Sequence, residues 1–207
     1  MFITFEGGEG SGKSVQSRRL YRRFQSEGLP VLLTREPGGT RLGEAVTRWL
    51  KWHTETRLSP VAELLLFNAS RAHLISEVIK PALAQGTIVI CDRFADSTIA
   101  YQGYGRGLAT EVIAEMSRLA TDGLKPDLTF LLDVTPKLGL ERKSKTQADR
   151  FEQEEAAFHD RVRQGYLALA HAEPTRWYIL DGSRPRRKLT ELIWEKVNHY
   201  LSCHRGS

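Results

Sequence analysis

The chain has 207 residues, 41% of them hydrophobic and 27% charged, with a formal net charge of +5. These values are ordinary for a soluble globular protein of one to one and a half domains. Two cysteines, Cys91 and Cys203, exclude a disulfide framework, and no run of 18 apolar residues is available to span a membrane. The basic residues are scattered through periodic segments, so we expect a small anionic partner and no nucleic acid.

The first element in chain order is a glycine-rich loop between a strand and a helix. Phe2–Phe5 has the composition of a buried strand, and Ser14–Glu27 has apolar residues at helical spacing. The loop between them matches G-x-x-x-x-G-K-[ST] with Gly7, Gly8, Glu9, Gly10, Ser11, Gly12, Lys13 and Ser14. In such a loop, backbone N–H groups hold polyphosphate, the lysine reaches the β- and γ-phosphates, and the hydroxyl binds Mg²⁺. The alternative is a glycine-rich surface turn, which the flanking strand and helix disfavour.

Strand-like runs alternate with helical patterns along the rest of the chain. The five predicted strands are Phe2–Phe5, Val31–Thr34, Thr87–Cys91, Leu128–Leu132 and Trp177–Leu180. The alternation predicts an α/β fold of three layers, in which a five-stranded parallel sheet carries helices on both faces. No repeat or linker is present, so we expect one domain over residues 1–207. Because the chain begins with a core strand, we expect no signal peptide and a reducing, cytoplasmic location.

A long helix is predicted to begin at Ser59, which is an N-cap residue followed by proline. Pro81 is expected to kink or end this helix. Its predicted buried stripe consists of Val61, Leu65, Ala72, Ile75, Ile79 and Ala82. Phe67 and Arg71 lie one turn apart beside that stripe and could line a cleft. A core-edge phenylalanine with a solvated arginine is an equally good interpretation.

Two further segments carry charge where a phosphate ligand would need it. Asp92 and Arg93 follow an apolar strand, and such an aspartate resembles the acidic partner of a phosphate loop, which holds Mg²⁺ directly or through water. A structural salt bridge is the alternative. The stretch from Leu140 to Arg150 is basic and contains Arg142, Lys143, Lys145 and Arg150. It is either a solvated face or a segment that closes over phosphate. Helices are predicted after it at Glu152–Ala172 and Arg184–Leu201.

Taken together, these motifs resemble the bacterial thymidylate kinases, and the resemblance runs from about Met1 to Leu201. The phosphate loop is shared with all P-loop enzymes, whereas the combination of the other segments is specific to this family. These are Thr34-Arg35-Glu36-Pro37-Gly38-Gly39-Thr40, Leu66-Phe67-Asn68-Ala69-Ser70-Arg71, Asp92-Arg93-Phe94-Ala95-Asp96-Ser97, Ala100-Tyr101-Gln102-Gly103 and Asp149-Arg150-Phe151-Glu152. Ser70 and Gly8 depart from the family pattern at positions without a proposed role.

The resemblance implies a role for each matching residue. The acceptor site for dTMP would use Phe67 on the thymine ring, Arg71 on its edge, Arg93 on the phosphate, Ser97, Gln102 near the base, Tyr101 under the sugar, and Glu9. Glu9 would face the sugar hydroxyl or Mg²⁺-bound water. A carboxylate that pointed at the phosphates of ATP would repel them. Residues 7–14 and Arg142 would bind ATP, with Ser14 and Asp92 at Mg²⁺.

The resemblance also implies how the reaction is catalysed and what the enzyme binds. Lys13, Arg93 and Arg150 would be the catalytic cations, and Arg150 would reach the transferred phosphoryl group from a short mobile lid at about residues 141–152. Because the loop contains no arginine and the lid is basic, the chain is similar to the lid-arginine type. The implied reaction is ATP-dependent phosphorylation of dTMP to dTDP, with Mg²⁺ as cofactor, by a homodimer. Another nucleoside monophosphate or deoxynucleoside kinase and a P-loop ATPase are the alternatives.

Overall fold

The computed structural model of the chain describes residues 1–52, 57–143 and 148–204. One parallel sheet of five strands lies at its centre, in the order β2-β3-β1-β4-β5. The strands are β1 (Phe2–Glu6), β2 (Val31–Arg35), β3 (Ile88–Asp92), β4 (Leu128–Asp133) and β5 (Trp177–Asp181). All five predicted strands are confirmed, and each continues one residue beyond its predicted end.

Helices cover both faces of the sheet. They are α1 (Lys13–Ser26), α2 (Arg41–Trp52), α3 (Pro60–Leu74), α4 (Lys80–Ala84), α5 (Ala95–Thr98), α6 (Thr110–Thr121), α7 (Pro136–Lys143), α8 (Ala156–Ala172) and α9 (Arg186–His204), with π-helical segments at Ile75–Ile79 and Ile99–Gly105. Within the described residues, no helix combines the length and the apolarity that crossing a bilayer requires.

The core is divided by the sheet because successive side chains of a strand point to opposite faces. On one face, Ile3 and Phe5 pack with Phe24 of α1 and Ile193 of α9. On the other face, Phe2 packs with the helical segment before β3, and the far end of the sheet packs against α8. Strands that are apolar on both faces read as continuous hydrophobic runs, which is why the sequence located them well.

The long helix differs from its prediction in two respects. Val61 and Leu65, predicted to be buried, are 52% and 51% exposed, and Ala72 is exposed as well, whereas Ile75 and Ile79 are buried as predicted. The buried face of α3 instead contains Glu63, Leu64, Asn68, Ser70, Arg71 and Leu74. Periodicity misplaced the stripe because polar side chains that satisfy each other occupy the interior here.

Pro81 does not end the helical run, which continues from Pro60 to Ala84. The irregularity occurs one turn earlier, where Ile75–Ile79 is π-helical. Pro81 then falls in the first turn of α4, where a missing N–H costs least.

Candidate active site at the carboxyl end of the sheet

The glycine-rich loop joins the carboxyl end of β1 to the first turn of α1. Gly7, Gly10 and Gly12 have φ values of 138°, 62° and 98°, in the region that glycine alone enters without strain. A Cβ atom on Gly10 would clash with the carbonyl group of Gly139 in α7. Only glycine therefore allows the loop to wrap the end of α1 while α7 packs against it, and the predicted strand, loop and helix are confirmed.

Lys13 lies inside this loop with its ammonium group almost completely enclosed. Its Nζ donates to the carbonyl oxygens of Gly7 (2.9 Å) and Gly8 (2.6 Å) and to Oγ of Ser11 (3.2 Å). Burial, together with the positive charge of Arg93, lowers the pKa of Lys13 from 10.5 to about 8. The loop therefore holds a cation that water solvates poorly, which favours the binding of an anionic ligand beside it.

Ser14 and Asp92 meet at the entrance to the cleft, where the Ser14 hydroxyl donates a hydrogen bond to Oδ2 of Asp92. Two hard oxygen ligands at a phosphate loop suit Mg²⁺, which takes one or two protein oxygens and completes its shell with water and phosphate. No group of three or more His, Cys, Asp or Glu side chains in the described parts of the chain could hold a metal ion. The pair fits an ion that is bound together with a nucleotide.

A cleft of about 970 Å³ extends from the loop to α7 and to residues 182–186 after β5. It is large enough for a nucleotide, since small-molecule sites occupy about 300–1,000 Å³. A second cavity adjoins the cleft and is lined by the side chains of Phe67, Ser97, Tyr101, Gln102 and Phe151. The cleft and this cavity, which we call the acceptor cavity, share Glu9, Glu36, Pro37, Lys51 and Arg93 in their walls.

Glu9 and Arg93 form the contact between the cleft and the acceptor cavity. Arg93 Nη2 donates to Oε1 of Glu9 (2.6 Å) and to the hydroxyl of Tyr101 (3.0 Å), and Nη1 donates to the carbonyl of Gly7 (3.0 Å). Burial opposes ionisation of Glu9, but the charges of Arg93, Lys13 and Lys143 outweigh it and hold its pKa well below the usual range. Glu9 thus lines both the cleft and the acceptor cavity, and Arg93 and Tyr101 of the acceptor side hold its carboxylate.

Arg93 is held by an unusual backbone turn. Its φ is 70°, in the left-handed region that costs a non-glycine residue about 1 kcal/mol or more. Its guanidinium is only 16% exposed and lies over the ring of Tyr101 at 4.9 Å. The strain is offset by five hydrogen bonds from the two terminal nitrogens, so the fold fixes this cation between the two cavities.

Glu6, the last residue of β1, supports this turn and was missed by the sequence analysis. Its carboxylate accepts from the backbone N–H of Phe94 (2.7 Å), from Ser97 Oγ (2.6 Å) and from the hydroxyl of Tyr166 in α8 (3.0 Å). Burial and the nearby carboxylate of Asp96 raise the pKa of Glu6 from 4.5 to about 7. A charged residue that ends a buried strand directly before a phosphate loop was the available signal.

Phe67 and Arg71 do occupy one side of the acceptor region, but at different depths. Phe67 lines the cavity, with its ring centroid 5.9 Å from that of Phe151. Arg71 is 1% exposed and donates to Glu36 Oε2 (2.8 Å) and Thr98 Oγ1 (2.7 Å), which both line the cavity. The interpretation of Arg71 as a solvated surface residue is therefore wrong, and the residue lies just beneath the cavity wall.

Ser97, Tyr101 and Gln102 reach the same cavity from a single segment, α5 and the π-helical turn that follows it. Ser97 Oγ also receives a weak contact from Arg93 at 3.4 Å. Gln102 is 1% exposed, and its Nε2 donates to Oε1 of Glu63 in α3 at 2.8 Å. The structure thus brings together all the residues that the resemblance assigned to the acceptor site, with Arg71 in the layer behind.

The basic segment is only partly assembled at the cleft. Arg142 lines the cleft and donates to the carbonyl of Gly182 (3.0 Å), and Lys143 Nζ lies 3.8 Å from Oε2 of Glu9. Lys145 and residues 144–147 of the predicted lid lie outside the described residues. Lys143 also pairs with Glu152, so this cation connects Glu9 of the glycine-rich loop with the end of the predicted lid.

Arg150 is not brought to the phosphate loop, which corrects its expected position. Its Nη2 donates to the carbonyl of Leu58 (3.4 Å) and lies 3.8 Å from Oε2 of Glu63, and the side chain lines neither the cleft nor the acceptor cavity. The physical reason is a turn in which Asp149 Oδ1 accepts from the N–H groups of Phe151 and Glu152. The turn directs Phe151 into the cavity and Arg150 toward α3.

The comparisons with known proteins agree with this geometry. The family model described as thymidylate kinase matches residues 5–193. A thymidylate kinase of Dehalococcoides mccartyi is 56% identical over 201 residues, 97% of each chain, and one of Deinococcus radiodurans is 49% identical over 199 residues, 96% of each chain. A crystal structure of thymidylate kinase from Ehrlichia chaffeensis has 40% identity and a TM-score of 0.76, and the match covers 95% of this chain and 97% of that one. A nucleotide-sized cleft, a second cavity beside it and this degree of similarity lead to one conclusion, that the chain belongs to the thymidylate kinase family.

Proposed function

We propose that this chain transfers the γ-phosphoryl group of ATP to dTMP, forming dTDP for the synthesis of dTTP, and that residues 1–207 do so as one domain. The observation that carries the proposal is the Glu9–Arg93 pair, which stands where the cleft of the phosphate loop meets the acceptor cavity. Direct transfer requires that both substrates are bound side by side, and a pair of residues that lines both cavities would contact both substrates.

The donor nucleotide would lie in the larger cleft. Residues 9–14 and Arg142 line this cleft, so the N–H groups of the loop would hold the phosphates and Lys13 would contact the β- and γ-phosphates. Ser14 and Asp92 would hold Mg²⁺, which neutralises phosphate charge when bound. A cation enclosed by carbonyl oxygens, as Lys13 is, loses little solvation when phosphate replaces part of that shell.

The acceptor monophosphate would lie in the smaller cavity. Phe67 offers a flat face to the base, Tyr101 lies beside the Arg93 guanidinium, and Arg93 itself would bind the monophosphate. The Tyr101 ring would pack under the sugar and disfavour a 2′-hydroxyl. Arg71 would act through Glu36 and Thr98, the wall residues to which it donates, as well as through any direct contact with the base edge.

Catalysis would come from positioning and electrostatics, because the attacking group is already an anionic phosphate oxygen. Lys13, Arg93 and the cations at the start of the lid surround the junction of the cavities, and closure of the lid would remove water from it. We place Arg142 and Lys143 in this role. Arg150, which faces Glu63, would anchor the end of the predicted lid to α3.

We also propose that the enzyme is a homodimer. Helix α3 packs between α2 and α6, and these helices expose large apolar side chains, namely Trp49, Val61, Leu65, Val112 and Leu119. Large exposed apolar surfaces of this kind commonly mark protein interfaces. Sedimentation of the purified protein tests this, and a monomer at micromolar concentration would contradict it.

The cytoplasmic location stays a proposal, consistent with the free thiols of Cys91 and Cys203.

Acceptor specificity is the experiment that tests the proposed function. Purified protein is incubated with Mg²⁺-ATP and either dTMP, dUMP, dGMP or AMP, and the diphosphate formed is measured by chromatography. We expect the highest kcat/KM with dTMP. Faster turnover of a purine acceptor would favour another monophosphate kinase, and DNA-dependent ATP hydrolysis without transfer would favour an ATPase.

A further inference from the structure

The amide of Gln102 is held in one orientation by a buried carboxylate that does not line the acceptor cavity. We propose that Glu63 is a positioning residue for base recognition, because it holds the amide of Gln102 in the orientation that presents the carbonyl oxygen to the acceptor base. This selects a base whose ring nitrogen carries hydrogen, as in thymine and uracil, against cytosine. The inference rests on the proposed function, since it concerns the acceptor of the same site.

The first step is the hydrogen bond itself. Gln102 Nε2 donates to Glu63 Oε1 at 2.8 Å, and both side chains are 1% exposed. A carboxylate only accepts hydrogen bonds, so the amide nitrogen and not the amide oxygen must face it. The reverse orientation would bring two acceptor oxygens together in a buried site, which is strongly unfavourable.

The second step is that Glu63 cannot turn away. Arg106 donates through Nε to Oε1 and through Nη2 to Oε2, both at 3.2 Å, and Arg150 Nη2 lies 3.8 Å from Oε2. Arg106 is fixed in turn by Glu154 Oε1 at 2.6 Å from its Nη1 and by the ring of Phe158 at 4.7 Å. The carboxylate is therefore clamped from the side opposite Gln102, and its orientation sets that of the amide.

The third step concerns what remains of the amide. Gln102 lines the acceptor cavity together with Phe67 and Tyr101. One hydrogen of its nitrogen is donated to Glu63, and its carbonyl oxygen is the acceptor left for a ligand. The ring nitrogen N3 carries a hydrogen in thymine and uracil and none in cytosine, so a base that places N3 against this oxygen satisfies it only when the base is thymine or uracil. A polar group left unpaired by the wrong base in such a cavity gives strong discrimination.

The variant Glu63→Gln tests the inference, because an amide at position 63 can donate as well as accept. Gln102 is then free to turn its N–H₂ group to the cavity. We expect the ratio of kcat/KM for dTMP to that for dCMP to fall about tenfold, the size of one hydrogen bond, while the KM for ATP stays within about twofold. A merely structural role would lower activity with both acceptors equally and leave the ratio unchanged.

Three controls separate this from other effects. Glu154→Gln makes the same change from carboxylate to amide but keeps an acceptor oxygen for Arg106 and leaves Glu63 and Gln102 intact, so its ratio should match that of the unmodified enzyme. Gln102→Met removes the carbonyl oxygen and should lower the ratio by itself, which keeps the test decisive even if Glu63→Gln folds poorly. Adding Glu63→Gln to Gln102→Met should then change the ratio no further.

An unchanged ratio in a folded Glu63→Gln or Gln102→Met variant would overturn the inference. A further change of the ratio when Glu63→Gln is added to Gln102→Met would overturn it as well, because Glu63 would then act without the amide. Absence of dTMP turnover in the unmodified enzyme would instead refute the proposed function, so the two failures are distinguishable.

Discussion

The two cavities of this enzyme share five wall residues but are otherwise built from different parts of the chain. In the cleft, the phosphate-binding part of the wall is the glycine-rich loop, a contiguous segment whose glycines take φ values that other residues adopt only with strain. The rest of the acceptor cavity is made of side chains from α3, α5, the π-helical turn and the end of the predicted lid, at Asp149 and Phe151. Its shape depends on buried ions, chiefly Glu6, Arg93 and Glu63.

This difference determines how each cavity responds to substitution. Where backbone N–H groups bind the ligand, few side chains contribute, so substitutions should matter at the lysine and the glycines and little elsewhere. Where side chains bind the ligand, each contributes part of the binding free energy, and removal of one leaves its partner buried and unpaired. The predictions below compare the two cavities and separate the effects on ATP from those on the acceptor.

The largest effect is expected at Lys13. Lys13→Met removes the enclosed cation, and we expect kcat to fall by about 10³-fold, in line with the loss of one strong electrostatic group at a reacting centre. The measurement is the steady-state rate at saturating ATP and dTMP. Lys13→Arg is the matched variant and should also be impaired, because a guanidinium does not fit between the carbonyls of Gly7 and Gly8. Recovery of activity in Lys13→Arg would show that charge alone matters.

Arg93→Ala should reduce kcat/KM for dTMP by about 10²-fold, since the residue connects the two cavities and would bind the acceptor phosphate. It also leaves the buried carboxylate of Glu9 without its closest partner. The double variant Glu9→Gln/Arg93→Ala removes that burden and should regain thermal stability but not activity. Recovery of turnover in the double variant would show that Arg93 matters only as the partner of Glu9.

Phe67→Ala tests the acceptor side alone. Loss of a stacking face is worth about 1–3 kcal/mol, so we expect a rise in the KM for dTMP and an unchanged KM for ATP. The two constants are obtained from separate substrate titrations. Phe67→Tyr keeps the ring and should remain close to the unmodified enzyme. An effect on ATP instead would place Phe67 in the wrong cavity.

Smaller effects should separate the two arginines of the basic segment. Arg142 lines the cleft, so Arg142→Ala should lower kcat by about tenfold as one charge near phosphate is lost. Arg150 contacts Leu58 and Glu63, so Arg150→Ala should lower the melting temperature and change kcat by about twofold at most. A loss of kcat in Arg150→Ala larger than in Arg142→Ala would restore Arg150 as the cation that contacts the transferred group.

The same contrast explains what the sequence could and could not predict. The sheet and the phosphate loop were predictable because both are local patterns, an apolar run or eight consecutive residues with fixed backbone requirements. Helical spacing indicated that Phe67 could line a cleft beside Arg71, whereas Tyr101 and Gln102 came from the family resemblance, because nothing in the spacing of the three residues indicates that they meet. The stripe of α3 failed at Val61 and Leu65 because burial of Glu63 and Arg71 depends on partners from distant segments.

Arg150 shows the limit of carrying a role over from a resemblance. The basic stretch was either a solvated face or a segment that closes over phosphate, and Arg142 lines the cleft while Lys143 lies near Glu9. The direction in which the Arg150 side chain leaves its turn is set by the hydrogen bonds that Asp149 Oδ1 accepts from the N–H groups of Phe151 and Glu152, which no charge pattern encodes. Glu6 was missed for the related reason that its three donors come from Phe94, Ser97 and Tyr166, far along the chain.

The last prediction concerns Glu6 and is a dependence of stability, and not of activity, on pH. Its pKa is raised from 4.5 to about 7 by burial and by Asp96, while Arg93 and the donated hydrogen bonds act in the opposite direction. The folded state therefore binds a proton that the unfolded state releases, so this contribution is fully present below pH 4.5. It is lost as the pH rises through about 7, and it amounts to about 3 kcal/mol at most.

Glu6→Gln removes this titration while it keeps an acceptor for the Phe94 N–H. We expect the stability of the unmodified enzyme to decline relative to that of the variant between pH 5 and pH 7.5, as measured by chemical denaturation in matched buffers. Other titrating groups, including Lys13, are common to both proteins and cancel in the difference. If the two curves of stability against pH are parallel, Glu6 is ionised over this whole range. Its three hydrogen-bond donors, and not a bound proton, would then stabilise the buried carboxylate.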